Sequence, residues 1–77
     1  MRVDNHIYIA YDDMGVIKKG KKYDVLDELI KTVNSKKIKE IYSKKERAEM
    51  LDFIIPLYNK EFDQVNFFGF TIDKFRG

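Results

Sequence analysis

The residues able to do covalent chemistry are few in this chain. His6 is its one histidine, Ser35 and Ser43 are its only serines, and it has no cysteine. A nucleophilic site needs a hydroxyl or thiol, a base beside it and an acid that orients the base. Ser43 is already engaged by its local sequence, since Ser43-Lys44-Lys45-Glu46 has the capping-box form that opens a helix. A Ser-His-acid arrangement is therefore not expected. The adjacent carboxylates Asp12 and Asp13 could join Asp4 or His6 around a cation, but at a hairpin they read first as turn formers. Gly15, Gly20, Gly69 and Gly77 have none of the spacings of a phosphate-cradling loop. These residues predict a protein that is not an enzyme, with no metal and no cofactor.

Charge is more informative. The formal balance of +2 conceals a block pattern: residues 18–47 hold eleven bases and five acids, a local balance of +6, whereas residues 1–17 and 48–77 each come to −2. A clustered basic face attracts phosphates or an acidic protein. Within the block, Lys44, Lys45 and Arg47 occupy the first turn of a predicted helix, where the positive end of the macrodipole disfavours cations by about 0.3–1 kcal/mol each. Cations beside free backbone N–H groups suit an anion. The candidate partner- or anion-binding set is Lys18, Lys19, Lys21, Lys22, Lys44, Lys45 and Arg47. A lysine-rich solvated surface is the plainer alternative. Tyr8, Tyr23, Tyr42 and Phe67 could stack on bases if they lay on the basic face, or anchor a protein interface, although aromatics in so small a domain usually form its core.

The elements that must position these groups follow from periodicity. Residues 6–11 alternate, with Ile7, Ile9 and Tyr11 on one face and His6, Tyr8 and Ala10 on the other. Residues 12–15 turn, and Val16 to Lys19 return as a second strand. Val25, Leu26, Leu29, Ile30 and Val33 recur at helical spacing behind Asp24 as N-cap. Lys36 to Tyr42 reads as a short third strand. A second helix starts at Ser43 and carries Ala48, Leu51, Ile55, Tyr58 and Phe62 past Pro56, kinked near Ile55 or broken there. Val65 to Phe75 reads as a last strand, apolar on both faces. The expected fold is α+β, a single domain over residues 1–77, with ββαβαβ order, a mixed sheet and two helices packed on one face. Its predicted core is Val25, Leu26, Leu29, Ile30, Leu51, Ile55, Phe68, Phe70 and Ile72. The apolar excess at Val65, Phe67 and Phe68 predicts a homodimer or a partner surface that includes Phe67.

A chain of 77 residues, 44% hydrophobic and 36% charged, can fold as one small core but not two. Without an apolar leader or a run near the ~20 residues of a membrane span, no membrane contact is expected. With no cysteine, a cytoplasmic location is the expectation. The stretch from Tyr8 to Phe53, and within it Ile41-Tyr42-Ser43-Lys44-Lys45-Glu46-Arg47-Ala48-Glu49-Met50-Leu51, resembles the small hybrid-binding domain at the front of some ribonucleases H, which would imply a nucleic-acid role. The chain differs from that family in having no tryptophan. Low net charge, acidic flanks and a shortage of arginine favour a protein partner over a nucleic acid, since arginine's bidentate geometry suits base readout. The expected function is a small non-enzymatic regulator or inhibitor that binds a host or cognate protein. In size and composition it resembles the stand-alone domains of bacteriophages and mobile elements. The alternative is a nucleic-acid-binding accessory protein using residues 18–47.

Overall fold

A computed structural model describes residues 6–76. Strands β1 (His6–Asp12) and β2 (Gly15–Gly20) form a hairpin. Helices α1 (Lys22–Val33), α2 (Lys36–Ile41) and α3 (Lys44–Ile54) follow. A 3₁₀ helix (Ile55–Asn59) then leads to a second hairpin of β3 (Gln64–Phe67) and β4 (Phe70–Arg76). All pairings are antiparallel, in the order β2-β1-β4-β3. The described residues form a small α+β domain with a four-stranded sheet and three helices, and the mixed ββαβαβ sheet with two helices is not what forms.

Two local features explain the difference. Ser35 caps α2, its Oγ accepting the Ile38 N–H, so residues 36–41 coil. As a strand, that segment would have set Glu40 beside Ile38 and Tyr42 on its apolar face. As a helix, Ile38 and Tyr42 fall one turn apart, with Ile38 buried and Tyr42 half-buried. The long last strand is instead a hairpin, folded at Phe68 and Gly69, which have φ of 48° and 84°. Positive φ at both central residues marks the type I′ turn, whose twist matches that of its flanking strands. The expected alternation of β1 is present, and the apolar strength of the last segment suits β4, which is central between β1 and β3.

Other boundaries shift less. Lys21, not Asp24, is the N-cap of α1, without a side-chain cap bond, and Asp24 lies in the first turn. Pro56 lacks the N–H that would bond the Asp52 carbonyl, and at Ile55 the α-helix tightens into the 3₁₀ helix.

The core lies between the inner sheet face and the helices. Tyr8 and Ala10 of β1, Phe67 of β3, and Phe70 and Ile72 of β4 meet Val25, Leu26, Leu29 and Val33 of α1, Met50 and Ile54 of α3, and Ile38, Leu57 and Phe62. Of the expected core, Ile30 and Leu51 are half-buried, while Ile55 and Phe68 are exposed. The inward stripe of the last helical segment is Met50, Ile54 and Leu57, one residue away from the expected Leu51, Ile55 and Tyr58. Both stripes have helical spacing, and packing against α1 selects between them.

Tyr58 fixes how α3 lies. Its ring stacks on Tyr23 of the first turn of α1, and its hydroxyl donates to Asp27 Oδ1. The chain from α3 into the 3₁₀ helix therefore runs back along α1. Burial first, and then the Asp27 carboxylate, push the Tyr58 phenol up to about 12.

Two measurements test this packing. Leu29→Ala or Phe70→Ala should each cost about 2–5 kcal/mol in denaturant unfolding, a large share of a small domain's stability. Raising the pKa favours the neutral phenol in the folded state, so its contribution is complete below pH ~10 and lost as pH rises through the folded value. Phenolate absorbance should show a late step near 12 that is missing in Tyr58→Phe.

Candidate functional site

The register puts both hairpin turns at one end of the sheet: Asp12 pairs with Gly15, Tyr11 with Thr71, and Phe67 with Phe70. The start of α3 lies at this turn end, because the Tyr42 ring meets Phe68 edge-on with centroids 6.1 Å apart and its hydroxyl donates to the Phe68 carbonyl at 3.4 Å. The start of α1 lies at the opposite end. There Lys22 Nζ sits 5.5 Å from the centroid of Phe62, whose ring packs on Tyr8, itself paired with Gly20.

This geometry separates the candidate bases of the two helix starts. Lys21 and Lys22 begin α1 at one end, and Lys44, Lys45 and Arg47 begin α3 at the other, with the twelve residues of α1, about 18 Å, between them. Lys22 also donates to the Lys60 carbonyl at 2.7 Å, so this half-buried cation holds α1 against the chain entering β3. Lys18 and Lys19 are exposed on β2, opposite Ala10 and Ile9. The denser group is at the turn end, where residues 31–47 carry seven bases and two acids, a balance of +5.

The start of α3 is already supplied with a carboxylate. Ser43 Oγ accepts the Glu46 N–H at 3.1 Å and Glu46 Oε1 accepts the Ser43 N–H at 2.9 Å, the full capping box. That backbone donor holds the Glu46 carboxyl below its ordinary range. The anion pocket expected there is thus occupied in part by the chain itself. Lys44 and Lys45 are exposed, whereas Arg47 is half-buried with its Nε enclosed and without a hydrogen-bond partner. Arg47 contributes packing as well as charge.

Phe67 lies in the core and not on the partner surface predicted for it. It is 7% exposed, stacked on Phe53 at 4.7 Å and packed against Phe70. No interface of the folded monomer can be built on it. Its neighbour Phe68 takes the outward position, 37% exposed, and Ile41, next in sequence to the Tyr42 that meets Phe68, is 62% exposed. Ile41 and Tyr42 directly precede the capping box that carries Lys44 and Lys45, and the Tyr42 ring is the one that reaches Phe68. A two-residue turn ending in glycine between alternating apolar strands is a hairpin signal, and reading Phe68-Gly69 in that way would have exposed Phe68. Of the other stacking candidates, Tyr8 is buried and Tyr23 lies against Tyr58.

Asp12 and Asp13 form the β1–β2 turn, with Asp12 Oδ1 accepting the Met14 N–H at 2.8 Å. Among the described residues no cluster of His, Asp or Glu could hold a metal, and no helix is long and apolar enough to cross a membrane. Asp4 lies outside the described residues.

No family model, curated protein or solved structure matches the chain. The resemblance to the hybrid-binding domain loses its structural basis as well, because it relied on a strand at residues 36–42 where α2 forms.

The capping box positions Lys44 and Lys45, so breaking it should be visible in stability. Ser43→Ala should lower unfolding free energy by about 0.5–2 kcal/mol in denaturant titration.

Proposed function

We propose that this chain is a small non-enzymatic regulator that binds another protein, and that its contact surface is the turn end, with Phe68 and Ile41 as apolar centre and Lys44 and Lys45 as basic rim. The partner surface that fits is apolar at its centre and acidic around it. The observation that carries this reading is Phe68 itself. A bulky residue at the first central position of a type I′ turn, where asparagine or glycine is favoured, costs roughly 1–2 kcal/mol. Its edge contact with Tyr42 returns about 0.5–1.5 kcal/mol. The fold therefore gains little or nothing from an aromatic there, while a binding surface gains an anchor. A nucleic-acid role is less well supported: the lysines are divided between two ends, and Tyr8 and Phe67 lie in the core.

Phe68→Asn should leave stability within about 1 kcal/mol of wild type, or raise it. Combined with Lys44→Glu and Lys45→Glu, it should abolish capture of the partner in a pulldown from nuclease-treated lysate, while wild type retains it. Binding by the purified partner should weaken with salt mainly through the association rate. Capture of the same protein by both baits would refute the assigned surface. Loss of capture on nuclease treatment would replace the protein partner with a nucleic acid.

A further inference from the structure

The sheet face turned away from the helices has its own pattern. Directly paired residues share a face, so the register groups Ile9 and Tyr11 of β1, Val16 and Lys19 of β2, and Asp73 and Phe75 of β4 on that side. Val16 is 63% and Phe75 51% exposed, and no helix of the described residues packs over them. At the centre, Ile9 pairs with Lys19 on one side and Asp73 on the other. The Asp73 carboxylate is fixed in place, accepting from Tyr11 Oη at 2.7 Å on Oδ2 and from Gln64 Nε2 on Oδ1.

We infer that this face binds a second copy of the same chain, sheet against sheet, about a two-fold axis parallel to β1. An axis over Ile9 exchanges the two sides of the row. It sets Ile9 on the second copy's Ile9, Lys19 on its Asp73, and Asp73 on its Lys19. The result is an apolar centre flanked by two opposite-charge contacts, the self-complementarity that an isologous interface requires. A nucleic acid would meet the fixed Asp73 carboxylate, and an acidic protein would satisfy Lys19 but be repelled by Asp73. Only a surface with one cation and one anion in the opposite order matches both. The inference is independent of the contact surface at the turn end, which shares none of these residues.

The size of the face sets the expected strength. Four strands ~4.8 Å apart and about six residues long at ~3.3 Å each give a footprint of about 400 Å², against about 800 Å² per partner in a standard stable interface. A micromolar dimer is expected, and sedimentation equilibrium over a wide concentration range is the suitable measurement. Wild-type chain should rise from 9.2 kDa toward twice that mass. Lys19→Asp sets two carboxylates together and should weaken the dimer at least about tenfold, and Phe75→Lys should do the same. Lys19→Asp combined with Asp73→Lys restores opposite charges and should recover it. Circular dichroism checks each fold, and should the double variant not fold, the two exposed-site variants decide. A wild type that stays monomeric throughout, or a dimer indifferent to Lys19→Asp and Phe75→Lys, would overturn the inference.

Discussion

The fold depends on packing one face of an antiparallel sheet against α1. Val25, Leu26, Leu29 and Val33 form a single stripe along that helix, and Tyr8, Ala10, Phe70 and Ile72 form the sheet surface that receives it. Among the described residues no polar or charged side chain is buried, so this union is held by apolar burial without a polar network to fix it. Its consequence is asymmetry. The described helices cover one sheet face, and the other carries Ile9, Val16 and Phe75.

The same packing decides where the charges go. Because α3 returns along α1, the two helix starts are carried to opposite ends, and a lysine-rich stretch that is continuous in sequence becomes two separate surfaces. At one of them Lys22 has been drawn into structure, over Phe62 and onto the Lys60 carbonyl. At the other, Glu46 takes the helix start and leaves Lys44 and Lys45 pointing to solvent. Charge count alone treats these lysines as equivalent, and their surroundings do not.

Much of this was legible in the residues, and the failures have physical causes. The first hairpin, the apolar stripe of α1 and the Ser43 capping box are local features, set by alternation, by one unambiguous spacing and by a short-range motif, and each forms as expected, although α1 starts at Lys22 rather than behind Asp24. Residues 36–41 are too short for periodicity to separate helix from strand, and the deciding signal was the hydroxyl of Ser35 just before them. Val65 to Phe75 is apolar enough to conceal its turn. As one continuous strand the segment would put Phe68 in the core and Phe67 on the surface, the inverse of what the turn at Phe68-Gly69 produces. In α3 two adjacent stripes both satisfy helical spacing, so only the position of α1 could choose Met50 and Ile54 over Leu51 and Ile55.

The two surfaces are related by geometry. A two-fold axis parallel to β1 preserves direction along the strands, so both turn ends of a dimer point the same way, each presenting Phe68, Ile41 and the α3 lysines. Paired copies would therefore meet a partner with two contact sites side by side. For a repetitive or dimeric partner, the second contact becomes intramolecular once the first has formed, and avidity can exceed single-site affinity by about 10²–10⁴ without any new kind of contact. A weak self-association through a small sheet face would then suffice, because engaging both sites of one partner itself holds the two copies together. An axis perpendicular to the strands would point the turn ends in opposite directions and remove this linkage, so the Lys19–Asp73 register determines whether the surfaces cooperate as well as whether the copies pair.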